Sequence, residues 1–261
     1  MNMRRIYAIM LRHIIPSFRD PIRITDAIYW PLVDITMFGF MATWSQENVT
    51  SGSSFVLGLL TCIICWYLVQ RSALEIARNV LFEIWENNLT HLFATPLTLN
   101  ELITALMALG FMQALITFIY GVGIIWLFYG KNIFLLIPSL APFIILFICW
   151  GWMIGFVTTA IIFLLGKNAE MITWSVPWFF AIMTGAFYPI TLYPLWLQRI
   201  SYLLPATHLF EGVRAMVIHG QSSTQYLIIG FALTIIYGII TYSFLAWAVS
   251  KGKETGLNQL S

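Results

Sequence analysis

Long apolar runs separated by short polar clusters dominate the sequence, and their spacing predicts membrane-crossing helices. One helical crossing takes about 20 apolar residues. Six spans are predicted, over residues 28–44, 55–70, 99–129, 143–165, 171–188 and 226–249. Pro31 falls in the first turn of the first span, where its missing N–H costs little. Ser45 to Ser54 reads as a polar loop, and Gly130-Lys131-Asn132 and Gly166 to Glu170 read as tight turns. The run from Ile133 to Leu165 is too long for one straight crossing, so Pro138 and Pro142 are expected to break off a short preface. Thr98-Leu99-Asn100-Glu101, just after Pro96, has the form of a capping box and marks the start of the third span.

Three further segments have an intermediate pattern. Residues 1–24 carry Ile6, Met10 and Ile14 at helical spacing, with Arg4, Arg5 and Arg12 able to snorkel from the other side. That suits an amphipathic helix lying in the membrane interface, ended by Pro16 and the Arg19-Asp20-Pro21 turn, although a solvated basic tail has the same composition. The stretch from Arg71 to Glu101 is the densest in charge, holding Arg71, Glu75, Arg78, Glu83, Glu86 and Glu101. It also carries Leu81, Phe82, Ile84, Trp85, Leu89, Leu92 and Phe93, an amphipathic composition rather than a loop. Residues 190–204, enclosed by Pro189, Pro194 and Pro205, are apolar but too short to cross, which points to a re-entrant segment.

Composition narrows the class. Of 261 residues 60% are hydrophobic and 9% charged, against roughly a quarter charged in a soluble domain. A water-facing surface cannot be covered with so few charges, so the expected fold class is an all-α integral membrane protein. The net charge of +2 gives no reason to expect nucleic acid. Lys and Arg in short flanks set orientation. Arg4, Arg5, Arg12, Arg19, Arg23, Arg71, Arg78, Lys167, Lys251 and Lys253 fall on one side, and Lys131, Arg199 and Arg214 on the other. Both termini are therefore expected in the cytoplasm.

Candidate chemistry is sparse. Cys62 and Cys65 form a CxxC inside an apolar run without a second ligand pair, which reads as packing rather than a metal site. Neither GxSxG nor HExxH occurs, and the four His fall in loops or near span ends. The Gly-Lys pairs at 130, 166 and 252 lack the remaining residues of a phosphate-cradling loop. No catalytic residue, cofactor or metal is expected on this chain, and any ATP and Mg would be bound by another. Asp34 is the one strong intramembrane acid, readable as an interfacial carboxylate or as a partner-paired functional group. Ion-coupled secondary transport or a channel is the alternative function, and an intramembrane enzyme is less favoured. Trp126, Trp150, Trp152, Trp174 and Trp178 fit either an interfacial aromatic belt or a stacking pathway.

The order of parts resembles the permease subunits of type-two ABC exporters, which move drugs, lipids and lipid-linked polysaccharides outward. The matching pieces are the amino-terminal helix with Arg19-Asp20-Pro21, and the phrase Asn88-Leu89-Thr90-His91-Leu92-Phe93-Ala94-Thr95-Pro96-Leu97-Thr98. Phe187-Tyr188-Pro189-Ile190 and Pro205-Ala206-Thr207-His208, followed by Glu211 and Arg214, match the family's outer signature. Asn87 and Asn88 stand where small or Gly/Thr residues are commoner.

The resemblance implies a permease without its own ATP site, in a bacterial-type inner membrane, paired with a second copy and driven by cytoplasmic ABC ATPases. Residues 80–95 would form the coupling helix, with Glu83, Trp85, Glu86, Leu89, Leu92 and Phe93 facing the ATPase. Residues 190–204, with Phe187, Tyr188, Pro189, Trp196, Pro205, His208, Glu211 and Arg214, would close the outer end of the pathway.

Overall fold

The computed structural model describes residues 2–48, 54–86, 88 and 95–254. Among these, every regular element is helical and no strand occurs. In chain order they are α1 (Met3–Arg19), α2 (Pro21–Asn48), α3 (Ser54–Trp85), α4 (Leu99–Tyr129), α5 (Ile137–Leu165), α6 (Glu170–Met183), α7 (Leu195–Ser201), α8 (Pro205–His219) and α9 (Thr224–Glu254). Short 3-10 turns occupy Phe134–Leu136, Gly166–Ala169 and Ile190–Leu192. Helices α3, α4, α5 and α9 are long and apolar enough to cross a membrane, which makes this a multi-pass membrane protein by length and composition.

α3 is the hub. The most apolar part of α3 is 83% buried, whereas that of α9 is 17% buried and turns its side chains outward. α3 packs against α2, α4, α5, α6 and α8. Without water to drive apolar helices together, close packing must supply the attraction, and small residues permit it. Gly110 of α4 meets the Ser72 backbone, and Gly151 and Gly155 of α5 meet the carbonyls of Val69 and Ala73. Ends are capped as the pattern predicts. Thr98 and Glu101 form the reciprocal capping box of α4, and Gly130 closes that helix in the left-handed conformation with φ of 61°.

Several boundaries differ from the pattern's. The first predicted span, now α2, runs from Pro21, not 28, and is long enough to cross. However, Tyr29, Trp30, Pro31, Asp34 and Trp44 leave it less apolar than the four. The second does not stop at Gln70 but continues fifteen residues to Trp85, because its charged side chains find partners inside the protein. Residues 80–85 are thus the last turns of α3, not the start of a separate helix, and 89–94 lie outside the described residues. Pro138 and Pro142 do not split α5. Pro138 sits in its first turn, and neighbouring helices stabilise the segment around Pro142. α6 ends at Met183 rather than Tyr188, and its 14 residues span only about 21 Å. α1 likewise runs through Pro16 and stops at Asp20, whose N–H donates to the Pro16 carbonyl at 2.8 Å. The expected re-entrant piece is α7 plus a 3-10 turn, and residues 205–219 form the further helix α8.

Candidate functional site

At the basal end of the bundle, α1, the start of α2, the end of α3 and the start of α4 meet. Ile6, Ile9, His13 and Ser17 recur at spacings of three and four, and this is the face α1 buries. Two of its arginines do not snorkel outward as expected but turn to acids on neighbouring helices. Arg12 donates to Glu83 at 2.8 Å, and Arg5 lies 3.6 Å from Glu101 and donates to the Pro96 carbonyl. Glu101 also accepts the Asn2 N–H at 2.7 Å, so one carboxylate ties the chain's first helix to the α4 cap.

His13 is buried beside this lock, with Nε2 3.6 Å from Glu83. Burial first, then the Arg12 and Arg23 guanidiniums, push its pKa down to about 4, outweighing the attraction of Glu75. The docked ring is therefore neutral near pH 7, while an undocked ring titrates at about 6.5. As the pH falls through that value toward 4, only the undocked form gains a proton, so docking weakens. Hydrogen exchange along α1 reads this directly. Protection should drop between neutral pH and about pH 5, and His13→Phe should flatten the change. Equal wild-type protection at both values would contradict it.

Above the lock lies a buried ion-pair network that charge counting missed. Arg71 donates to the Asp26 carboxylate at 2.8 Å and to its backbone carbonyl at 2.7 Å. Arg78 reaches Asp26 at 3.3 Å and pairs with Glu75, which also accepts from Asn79. Arg71, Glu75 and Arg78 stand at i, i+4 and i+7, a helical stripe continuing the apolar run before it, and this was the available signal.

The network floors a cavity of about 440 Å³ between α2, α3 and α6. Asp26, Gln70 and Arg71 supply its polar end, and Trp30, Tyr67, Leu74, Trp174 and Trp178 its walls. Gln70 is only 8% exposed. Trp174 and Trp178, four apart, share one face of α6. Near the cavity, Asp34 is buried and accepts the Tyr67 hydroxyl at 2.5 Å, so its partner is neutral rather than a cation.

The opposite end has its own clamp. Arg214 of α8 pairs with Glu211 at 2.8 Å and donates to the carbonyls of Gly185 and Ala186, while Glu211 accepts the Ile190 N–H at 3.2 Å. This pair holds the turn at 185–190. Phe187 in that turn stacks on Phe38, with centroids 5.3 Å apart, and on Trp178 at 6.2 Å. Tyr188 is exposed and Pro189 precedes the 3-10 turn. Pro205 opens α8, and the His208 ring bonds the Tyr202 carbonyl at 2.9 Å, away from the clamp. Trp196 projects from α7 into the surroundings.

Of the expected ATPase-facing residues, Glu83 is turned inward to Arg12, whereas Trp85 and Glu86 are exposed at the end of α3. Leu89, Leu92 and Phe93 lie outside the described residues. Among the described residues no group of three or more His, Cys, Asp or Glu side chains is placed to hold a metal ion. No protein-family model matches the chain, and no curated protein matches it either.

Proposed function

We propose that the chain is the permease subunit of an ATP-driven exporter, carrying a hydrophobic or amphipathic substrate such as a drug, a lipid or a lipid-linked glycan. The observation that carries the reading is the cavity between α2, α3 and α6. It combines indole walls with a nearly buried amide and a charge pair, the mix that suits a ligand with an apolar body and a polar end. Six crossings are proposed, adding α2, and α6 with its flanking turns, to the four clear ones, with both termini in the cytoplasm. The exposed apolar sides of α2 (Trp30, Met37, Met41, Trp44) and α6 (Met171, Phe179, Ile182) are where a second copy would close the pathway.

Energy must then come from another chain. The basal end offers Trp85 and Glu86, and α1, locked to α3 and α4 through Glu83 and Glu101, would pass an ATPase's motion to the cavity. The partner can shift the inward–outward equilibrium only by its differential binding to the two forms. Glu86→Lys and Trp85→Ala are expected to leave membrane insertion intact while weakening association with a cytoplasmic ATPase. Co-purification with that ATPase is the measurement, and undiminished association in both variants would count against the assignment.

A further inference from the structure

A second, smaller cavity of about 190 Å³ opens beside the first, on the other flank of the ion-pair network, between α1, α2, α3 and α4. Its polar wall carries three guanidiniums, from Arg23, Arg71 and Arg78, against a single carboxylate, Glu75, with Ser17 and Gln113 beside them. Asp26, which accepts from both Arg71 and Arg78, and Asp20, 3.6 Å from Arg23, stand outside this wall. Arg71 and Arg78 are more than nine-tenths buried, and the Nε–H of each is without a partner among the described residues. Two unspent donors on buried guanidiniums are an unfavourable arrangement.

The remainder of the lining has the opposite character. Phe18, Ile24, Ala27, Ile28 and Ile116 complete it, and all but Ala27 are exposed on the outside of the bundle. Arg23 lies at the start of α2, five residues before Ile28, so the basic wall stands at one end of an apolar strip that faces the surroundings. A free anion has no use for such a strip, whereas a lipid's acyl chains do.

We infer that this cavity binds the phosphate of an anionic phospholipid, with the headgroup against Arg23, Arg71 and Arg78 and the acyl chains along Ile28 and Ile116. Basic pockets between membrane helices at headgroup depth take such lipids. The bound lipid wedges α1 and α2 against α3 and α4, and this does not rest on the transport reading.

Native mass spectrometry of the full chain in a neutral detergent tests it, with phosphatidylglycerol, phosphatidylcholine and inorganic phosphate as separate probes. One phosphatidylglycerol should bind about tenfold or more tighter than phosphatidylcholine, and inorganic phosphate should not displace it. Gln113→Glu adds a negative charge to the wall without removing a native bond, and it should abolish that preference. Arg23→Gln should weaken it by a similar factor. Should Arg23→Gln fail to fold, Gln113→Glu alone decides. Equal binding of the two lipids, or an unchanged preference in Gln113→Glu, would overturn the site. Displacement of the lipid by inorganic phosphate would overturn the lipid as the source of the phosphate.

Discussion

Asp26→Ala should destabilise the protein by about 3–5 kcal/mol, the range for breaking a buried ion pair by removing one partner. Arg71, buried within α3, would lose its carboxylate partner, and Arg78 would keep only Glu75. The cost comes less from the lost attraction than from a guanidinium left in an apolar setting. The double variant Asp26→Leu with Arg71→Met should therefore be closer to wild type than Asp26→Ala alone, since it removes both buried charges together. Thermal unfolding of the detergent-purified chains gives the comparison. A double variant as unstable as the sum of its singles would show that the pair is not coupled through burial.

The second large effect is expected at Gly151. A Cβ built there would lie 1.9 Å from the Ser72 Oγ and 2.4 Å from the Val69 carbonyl oxygen. Contacts that short are impossible, so α5 must move away from α3. The Ser72 hydroxyl can rotate, but the Val69 carbonyl belongs to the helix backbone and can retreat only with it. Gly151→Ala should cost about 1–3 kcal/mol or more, the usual penalty for overpacking. Adding Ser72→Ala should recover only part of it. Gly123, which meets nothing within 4 Å, is the control: its alanine variant should unfold like wild type. A Gly151→Ala protein as stable as that control would contradict the packing described for the hub.

Much of the fold was legible in the sequence because lipid solvation imposes a simple demand. A crossing helix must be apolar along its whole length, so hydropathy finds α3, α4, α5 and α9. The capping box at Thr98 and the glycine at 130 are local chemistry and were readable for the same reason. Prolines misled the boundaries. A proline removes one N–H, which reads as a break, yet the packed faces of α1 and α5 continue past Pro16 and Pro142 and hold the helix together.

The site was harder. Glu75 and Arg78 pair locally, but the other partners of this stretch lie far away in the chain. Arg71 meets Asp26 across 45 positions, and Arg12 meets Glu83 across 71. No local pattern announces such pairs. The Glu211–Arg214 pair was legible, being three residues apart on one helix. What it holds, the turn at 185–190, was not. The 440 Å³ cavity is likewise a product of three helices whose relation the sequence does not state.

The central claim is that this chain moves its substrate only with energy from a separate ATPase. Affinity purification of the full chain from its own cell membranes, followed by identification of stoichiometric partners and assay of ATP hydrolysis, tests it most directly. The expected result is a P-loop ATPase retained with the chain, hydrolysis by the complex, none by the chain alone, and loss of the partner in Glu86→Lys. A chain that purifies without any ATPase and transports under an ion gradient after reconstitution would contradict the claim.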